Sequence, residues 1–237
     1  MNKIRAAVVG AGIYGKHHMN AYRHNPDTVL VAICDTDTER CDDLAMAYGV
    51  MGYTRLDVLL QEEAVDVVSV ATPDPYHTES ILTALRHGKH VLAEKPLATS
   101  VRECELIVEM AQQRDLLVGV DFHKRWDPAV MRIKAELEKP ETGRIDILCE
   151  ATYIRSTSQH RGLEITTPGM TLTPNSYFIN YRNGVASGFG IDPINDFVRA
   201  VIHKAPYPVT AVDGLAVSRI CEAVHQSLES QKPVSLK

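Results

Sequence analysis

Gly10-Ala11-Gly12-Ile13-Tyr14-Gly15 stands between two stretches of different character. Before it, Ile4 to Val9 is apolar except for Arg5, as suits a buried parallel strand. After it, Ile13 to His24 can run as a helix. Glycines at this spacing arise by chance, so the flanking strand and helix carry the inference. Gly10 would permit a tight turn, Gly12 would let the backbone approach a pyrophosphate, and Gly15 would let the helix pack on the strand. The free N–H groups of Ile13 and Tyr14 would face the anion at the helix N-terminus. A second apolar run, Thr28 to Cys34, ends at Asp35, twenty residues beyond Gly15. A carboxylate there accepts hydrogen bonds from both adenosine ribose hydroxyls and repels a 2′-phosphate. That favours NAD over NADP, with Arg40 close enough in sequence to soften the preference. The stretch reads as a dinucleotide site in preference to a structural turn followed by a surface Asp.

The alternation continues with a helix from Asp37 to Tyr48, a short element over Gly49 to Tyr53, a helix from Arg55 to Gln61 and a strand from Asp66 to Ala71. A helix from Tyr76 to His87, a strand from His90 to Ala93, a helix from Ser100 to Arg114 and a strand from Leu116 to Val120 follow. Six strands with interposed helices predict an α/β fold, a Rossmann doubly wound parallel sheet with right-handed crossovers. Beyond Phe122 the rhythm changes to a helix from Asp127 to Leu137, a turn at Lys139 to Gly143, and short extended stretches at Ile145 to Ile154, Gly162 to Thr166 and Tyr177 to Tyr181. Two helices follow, Asp192 to His203 with Pro193 early in it, and Asp213 to Ser230 with an apolar face of Leu215, Val217, Ile220, Val224 and Leu228. The expected organisation is a Rossmann domain over residues 1–122 and a smaller, truncated α+β domain over 123–237 for substrate binding or oligomerisation.

With 237 residues, 45% of them hydrophobic, the chain can bury the core of one large or two modest domains. A net charge of -5 and no long Lys/Arg cluster argue against nucleic acid and for a small-molecule partner. The five cysteines, Cys34, Cys41, Cys104, Cys149 and Cys221, form no C-x-x-C pair and read as reduced, buried thiols. The sequence shows neither a signal core nor a membrane-length apolar run, so the expected location is cytoplasmic, with no membrane partner.

In a doubly wound sheet the ligand lies beyond the carboxyl ends of the strands. Three clusters occupy those positions: Ala71-Thr72-Pro73-Asp74-Pro75-Tyr76-His77, Glu94-Lys95-Pro96 and Asp121-Phe122-His123-Lys124-Arg125. The glycine turn, Thr72-Pro73 with His77, Glu94-Lys95-Pro96-Leu97-Ala98 and Arg125-Trp126-Asp127-Pro128 together resemble the Gfo/Idh/MocA oxidoreductases, over residues 1 to about 130. Asp213-Gly214-Leu215, the helix after it and Lys232-Pro233-Val234 are similar to the end of that family's chains. The resemblance implies a nicotinamide cofactor and hydride exchange with a sugar, polyol or cyclitol hydroxyl. By the same resemblance Thr72, Pro73 and His77 line the nicotinamide side, Glu94 helps hold the ribose region, and Ala71 and Pro96 also belong to the cofactor site. Lys95 then faces the reacting carbon. An ammonium is disfavoured beside a cationic nicotinamide, which suits a lysine that takes the hydroxyl proton.

Each of these residues also has a plainer reading. Lys95 without its motif is a solvated lysine, and His77 is a helix-start histidine that caps backbone groups. His123 is either a substitute acid or base or a partly exposed ring satisfied by Asp121 or Asp127. Arg125 binds cofactor or substrate, or braces the domain junction. His17 and His18 point about 100° apart on a helix and cannot chelate a metal together, so no metal is expected.

The chain departs from the family in one respect with chemical weight. The family's second domain carries an Asp followed four residues later by a His, and no Asp here has that partner. The sequence passes from Gly143-Arg144-Ile145 straight into a strand-like Asp146 to Glu150, as if a central block were missing near Gly143 to Asp146. Such a loss predicts unpaired sheet edges, and loss of a general base costs roughly 10² to 10⁴-fold in rate. Asp74 also replaces the usual Asn before His77. The alternative to a working enzyme is therefore a cofactor-binding pseudoenzyme or a deletion product. A homo-oligomer formed through the C-terminal domain is expected in either case.

Overall fold

A computed structural model of the chain describes residues 3–128, 130–131, 134, 148–149, 152–157, 162–167, 170–172 and 178–236. It divides into two compact units, Met1–Phe122 together with Ile194–Lys237, and His123–Pro193. In the first unit, elements follow in the order β1 (Ile4–Val9), α1 (Ile13–His24), β2 (Thr28–Cys34), α2 (Thr38–Tyr48), β3 (Met51–Tyr53), α3 (Leu56–Glu62), β4 (Val67–Val70), α4 (His77–Arg86), β5 (His90–Glu94), α5 (Val101–Gln113) and β6 (Val118–Asp121). The six strands pair in parallel in the order β3-β2-β1-β4-β5-β6, the expected doubly wound sheet with its topological switch between β1 and β4. Helices cover both faces, so the strands are buried on both sides. Ala6, Ala7, Val8, Val67, Val68, Val91, Leu92 and Val120 have no solvent contact. Local chemistry sets the helix ends. Asp37 caps α2 by accepting from the Arg40 N–H at 3.1 Å, and Gly49 closes it in the left-handed region. Ser100 caps α5 by accepting from the Glu103 N–H at 3.3 Å, and its hydroxyl donates to the Glu103 carboxylate at 2.9 Å.

The unit is completed from the far end of the chain by α6 (Asp192–His203) and α7 (Ala211–Ser230). Val209 and Thr210 run antiparallel along β6, with the Val120 N–H donating to the Val209 carbonyl at 2.9 Å, so the outer edge of β6 is covered. Phe197 and Tyr207 pack edge to face at 5.3 Å, both buried. Gly119 makes room for them, since a Cβ there would lie 2.7 Å from Tyr207 and 2.9 Å from Phe197. Residues 194–237 were expected in the second domain; the need to cover the β6 edge and the Phe197–Tyr207 cluster joins them to the first unit. On α7 the expected apolar face is mostly outward. Leu215 is buried, but Val217, Ile220, Val224 and Leu228 are 40–63% exposed. Cys34, Cys41 and Cys104 are buried as expected, Cys221 is exposed on α7, and the Cys149 side chain lies outside the described residues.

The second unit contains an antiparallel sheet of β7 (Leu148–Cys149), β8 (Thr152–Thr157), β9 (Gly162–Thr167) and β10 (Met170–Leu172), in the order β10-β9-β8-β7. A separate hairpin joins β11 (Asn180–Arg182) to β12 (Val185–Ser187) through Asn183 and Gly184, both at positive φ (52° and 80°). That is the primed turn for which Asn-Gly is the strongest short signal, and it adds a strand beyond the expected Tyr177 to Tyr181. The expected turn at Lys139 to Gly143, the junction at Gly143 to Asp146 and most of the helix Asp127 to Leu137 lie outside the described residues. Among the described residues no helix is long and apolar enough to cross a membrane.

Gly119→Ala should lower unfolding stability by about 1–3 kcal/mol through overpacking against Tyr207 and Phe197. The measurement is the urea midpoint at constant slope. An unchanged midpoint would mean that the aromatic pair does not seat on β6.

Candidate active site

The glycine turn opens the site where β1 gives way to α1. Gly10 sits at φ +90° and donates its N–H to the Cys34 carbonyl at 2.8 Å. A Cβ on Gly10 would lie 2.5 Å from the Ala71 and Thr72 backbone, and one on Gly15 would lie 1.8 Å from the Gly10 carbonyl oxygen. These two glycines are demanded by packing. Gly12 is not: a Cβ there would meet nothing within 4 Å, and the residue borders an open groove. Helix α1 begins immediately after it with no side-chain cap. The helix terminus and the open Gly12 together make an anion cradle.

At the end of β2, Asp35 is almost fully buried and its carboxylate is fully engaged. One oxygen accepts from the Ala11 N–H (2.6 Å) and Arg40 Nε (3.2 Å), the other from the Asp37 N–H (2.9 Å) and Arg40 Nη2 (2.7 Å). Burial pushes this carboxyl up, but the Arg40 guanidinium and the two backbone donors outweigh it and hold it below the usual range. Arg40 also pairs with Asp37 at 3.2 Å and is 44% exposed, so its side chain has freedom to leave. A ribose diol would take the places Arg40 now fills.

The opposite wall comes from the turns after β4 and β5. His77 is buried, with Nδ1 2.6 Å from the Pro96 carbonyl and Nε2 2.8 Å from the Thr72 carbonyl. It ties the two turns together, which develops its backbone-capping reading into a clip between segments 19 residues apart on one side. Carbonyls only accept, so a singly protonated ring donates to one of them at a time. The Thr72 hydroxyl is buried and has no partner among the described residues, which leaves it for a ligand. Lys95 is exposed, its Nζ 5.9 Å from the Tyr14 ring centre across the groove, and the Lys95–Pro96 peptide is cis. Gly10, Gly12, Ile13, Tyr14, Asp35, Ala71, Thr72, Pro73, His77, Glu94 and Lys95 thus line one groove of about 370 Å³. Gly15 and Pro96 are not among the groove's lining residues: Gly15 packs on the Gly10 carbonyl, and the Pro96 carbonyl meets His77. A larger cavity of about 650 Å³ lies at the amino ends of β5 and β6, bordered by His90 and Leu116, the wrong end of the strands for a ligand in this fold.

His123 and Arg125 belong to the second unit, in its opening 3-10 turn, His123–Trp126. The His123 ring packs against Phe178 at a tilt of 52° with ring centres 4.6 Å apart, and Arg125 is exposed. Asp127 accepts from Lys124 at 2.9 Å, and Asp121 is buried in the first unit. There it meets a residue set aside at the sequence level: His18 turns inward, its Nε2 3.3 Å from Glu94 and 3.7 Å from Asp121 and its Nδ1 2.9 Å from the Ser69 hydroxyl. The signal was present in the helical face that His18 shares with Gly15, Met19 and Tyr22, all buried.

A family model, GFO_IDH_MocA, described as an oxidoreductase family with an NAD-binding Rossmann fold, matches residues 4–122. The chain belongs to this oxidoreductase family. Its first unit has that family's NAD-binding Rossmann fold. An inositol 2-dehydrogenase from Rubrobacter xylanophilus is 34% identical over 143 residues, 60% of this chain and 41% of that protein. One from Rhizobium meliloti is 27% identical over 219 residues, 91% of this chain and 60% of the relative. The chain therefore spans two to three fifths of these relatives. An oxidoreductase structure from Agrobacterium radiobacter, in complex with NAD+, L-tartaric acid and magnesium, superposes with a TM-score of 0.79 at 14% identity, covering 99% of this chain and 98% of that one. That likeness is one of fold.

Gly12→Val should leave the chain folded, because the added carbons meet open space, and should abolish NAD binding in a calorimetric titration. Unchanged affinity would sink the phosphate-turn assignment. Asp35→Ala should weaken NAD more than NADP, since it removes the ribose acceptor and releases Arg40. Equal loss for both would count against that role.

Proposed function

We propose that this chain is an NAD-dependent oxidoreductase that exchanges hydride with a hydroxyl-bearing carbon of a sugar, polyol or cyclitol. The observation that carries the reading is the placement of Lys95 on the same groove as the open Gly12 turn and Asp35. Bound NAD supplies the hydride acceptor. Gly12 and the first turn of α1 would hold the pyrophosphate, Asp35 the adenosine ribose, and Thr72 and Pro73 the nicotinamide side, with His77 fixing their turn. Glu94 would steady the ribose region. Taking hydride from an alcohol carbon also requires taking the hydroxyl proton, and Nζ of Lys95 is the group on this groove placed to receive it. The reading rests on Lys95 in preference to His123, whose ring packs on Phe178.

A second reading, cofactor binding without turnover, is favoured by the missing Asp-x-x-x-His pattern. Self-association through the C-terminal part accompanies either reading, supported by the exposed Val217, Ile220, Val224 and Leu228 face. Sedimentation velocity tests it, a monomer at micromolar concentration counting against it. The free, buried Cys34, Cys41 and Cys104 support a cytoplasmic location.

NAD titration followed by NADH formation across sugars, polyols and inositols separates the two readings. The enzyme reading expects turnover, and Lys95→Ala should cut it by roughly 10²-fold or more while NAD still binds. Binding without turnover on any compound would establish the second reading, and no binding would remove both.

A further inference from the structure

Beneath the groove, five polar side chains from four elements meet in the interior: His18 and Tyr22 from α1, Ser69 from β4, Glu94 from β5 and Asp121 from β6. None is more than 6% exposed. The Tyr22 and Ser69 hydroxyls lie 2.7 Å apart, and the Ser69 hydroxyl lies 2.9 Å from His18 Nδ1. With Tyr22 donating to Ser69 and Ser69 to Nδ1, the ring proton sits on Nε2 and points at Glu94 (3.3 Å) and Asp121 (3.7 Å). One N–H then serves two carboxyl groups, and the second Asp121 oxygen is buried with no partner among the described residues. Glu94 and Asp121 are both buried and their carboxylate oxygens lie within 4.8 Å of one another, and two ionised carboxylates this close in the interior repel strongly enough to favour a proton on one of them. Asp121 is the more deeply buried of the two and has the orphaned oxygen.

We infer that Asp121 carries a proton on the acid side of neutrality and acts as a positioning residue, the neutral partner that lets Glu94 stay ionised under the groove and so fixes the turn bearing Lys95. Burial, then the Glu94 charge, push the Asp121 carboxyl up to about 7, while His18 and Lys95 pull it back. The titratable groups that face it are Glu94 from β5, Lys95 beyond it, His18 and Tyr22 from α1, and Tyr207 from the segment before α7. Its bearing on the cofactor rests on the NAD reading above; the proton itself does not.

The sign of the pH dependence follows. An unfolded Asp titrates near about 3.9 and the folded one higher, so the folded chain holds a proton that the unfolded chain has released between those values. The contribution is fully present below about pH 4 and is lost as pH rises through about 7. The experiment compares wild type with Asp121→Asn, which keeps the shape and the donor of the protonated acid at every pH. Urea midpoints and NAD affinities are measured from about pH 5 to about pH 9. In wild type the midpoint should fall, and NAD affinity should weaken several-fold, across neutrality. In Asp121→Asn both should stay near their low-pH wild-type values. A wild-type pH profile retained by Asp121→Asn would overturn the inference. Infrared spectra of the wild-type protein guard against a variant that fails to fold: a protonated carboxyl band should disappear as pH rises through about 7, and its absence at about pH 6 would overturn the inference. A stoichiometric divalent cation in the purified protein would do the same, because its charge would then balance the carboxylates. Should no NAD bind at any pH, the cofactor reading fails while the midpoint and infrared results still decide the proton.

Discussion

A parallel sheet covered by helices on both faces leaves polar chemistry one outlet, the carboxyl ends of its strands, and the structure is organised around that constraint. The backbone approach of Gly10 to Ala71 and Thr72 brings the ends of β1 and β4 together at the switch point. Everything that lines the groove is reached from there: Asp35 one strand to one side, Glu94 and Lys95 one strand to the other. Gly10 and Gly15 are fixed by contacts inside the protein, whereas Gly12 is shaped for something outside it.

The polar groups that do not reach the outlet have to satisfy one another. His77 does so by bridging two carbonyls, and the His18 cluster does so with a chain of hydrogen bonds that stops at one unpartnered oxygen. The two arrangements flank the turn that carries Lys95, His77 through Pro96 and His18 through Glu94. The lysine itself is exposed, yet the backbone on which it stands is held on both sides by buried histidines, a common way of presenting a reactive group on a rigid support.

Much of the first unit was legible because it is written in short-range terms. The apolar runs, the glycine spacing and the Asp35 offset each depend on residues close in sequence, and the six strands appear where those patterns place them. What escaped depends on distance. Nothing local ties Phe197 and Tyr207 to Gly119, so local pattern alone does not reveal that the final helices belong with the first unit. On α7 the 3.6-residue periodicity was read correctly, but periodicity does not say whether an apolar face meets a core, and this one is exposed. His18 was considered only beside His17, its neighbour in sequence, although its partners come from β4, β5 and β6. The Asn183-Gly184 turn is a different case, a local signal that was present and passed over.

Closing the edge of β6 with Val209 and Thr210 also orders events during synthesis. Six strands of the first unit are made by Asp121, but their last edge stays open until nearly ninety further residues have emerged, since the closing segment ends at Thr210. The whole of His123–Pro193 must leave the ribosome in between. A nascent sheet with a bare strand edge is a template for other chains, so the interval before the two halves of the first unit meet is when this protein is most exposed to misassembly.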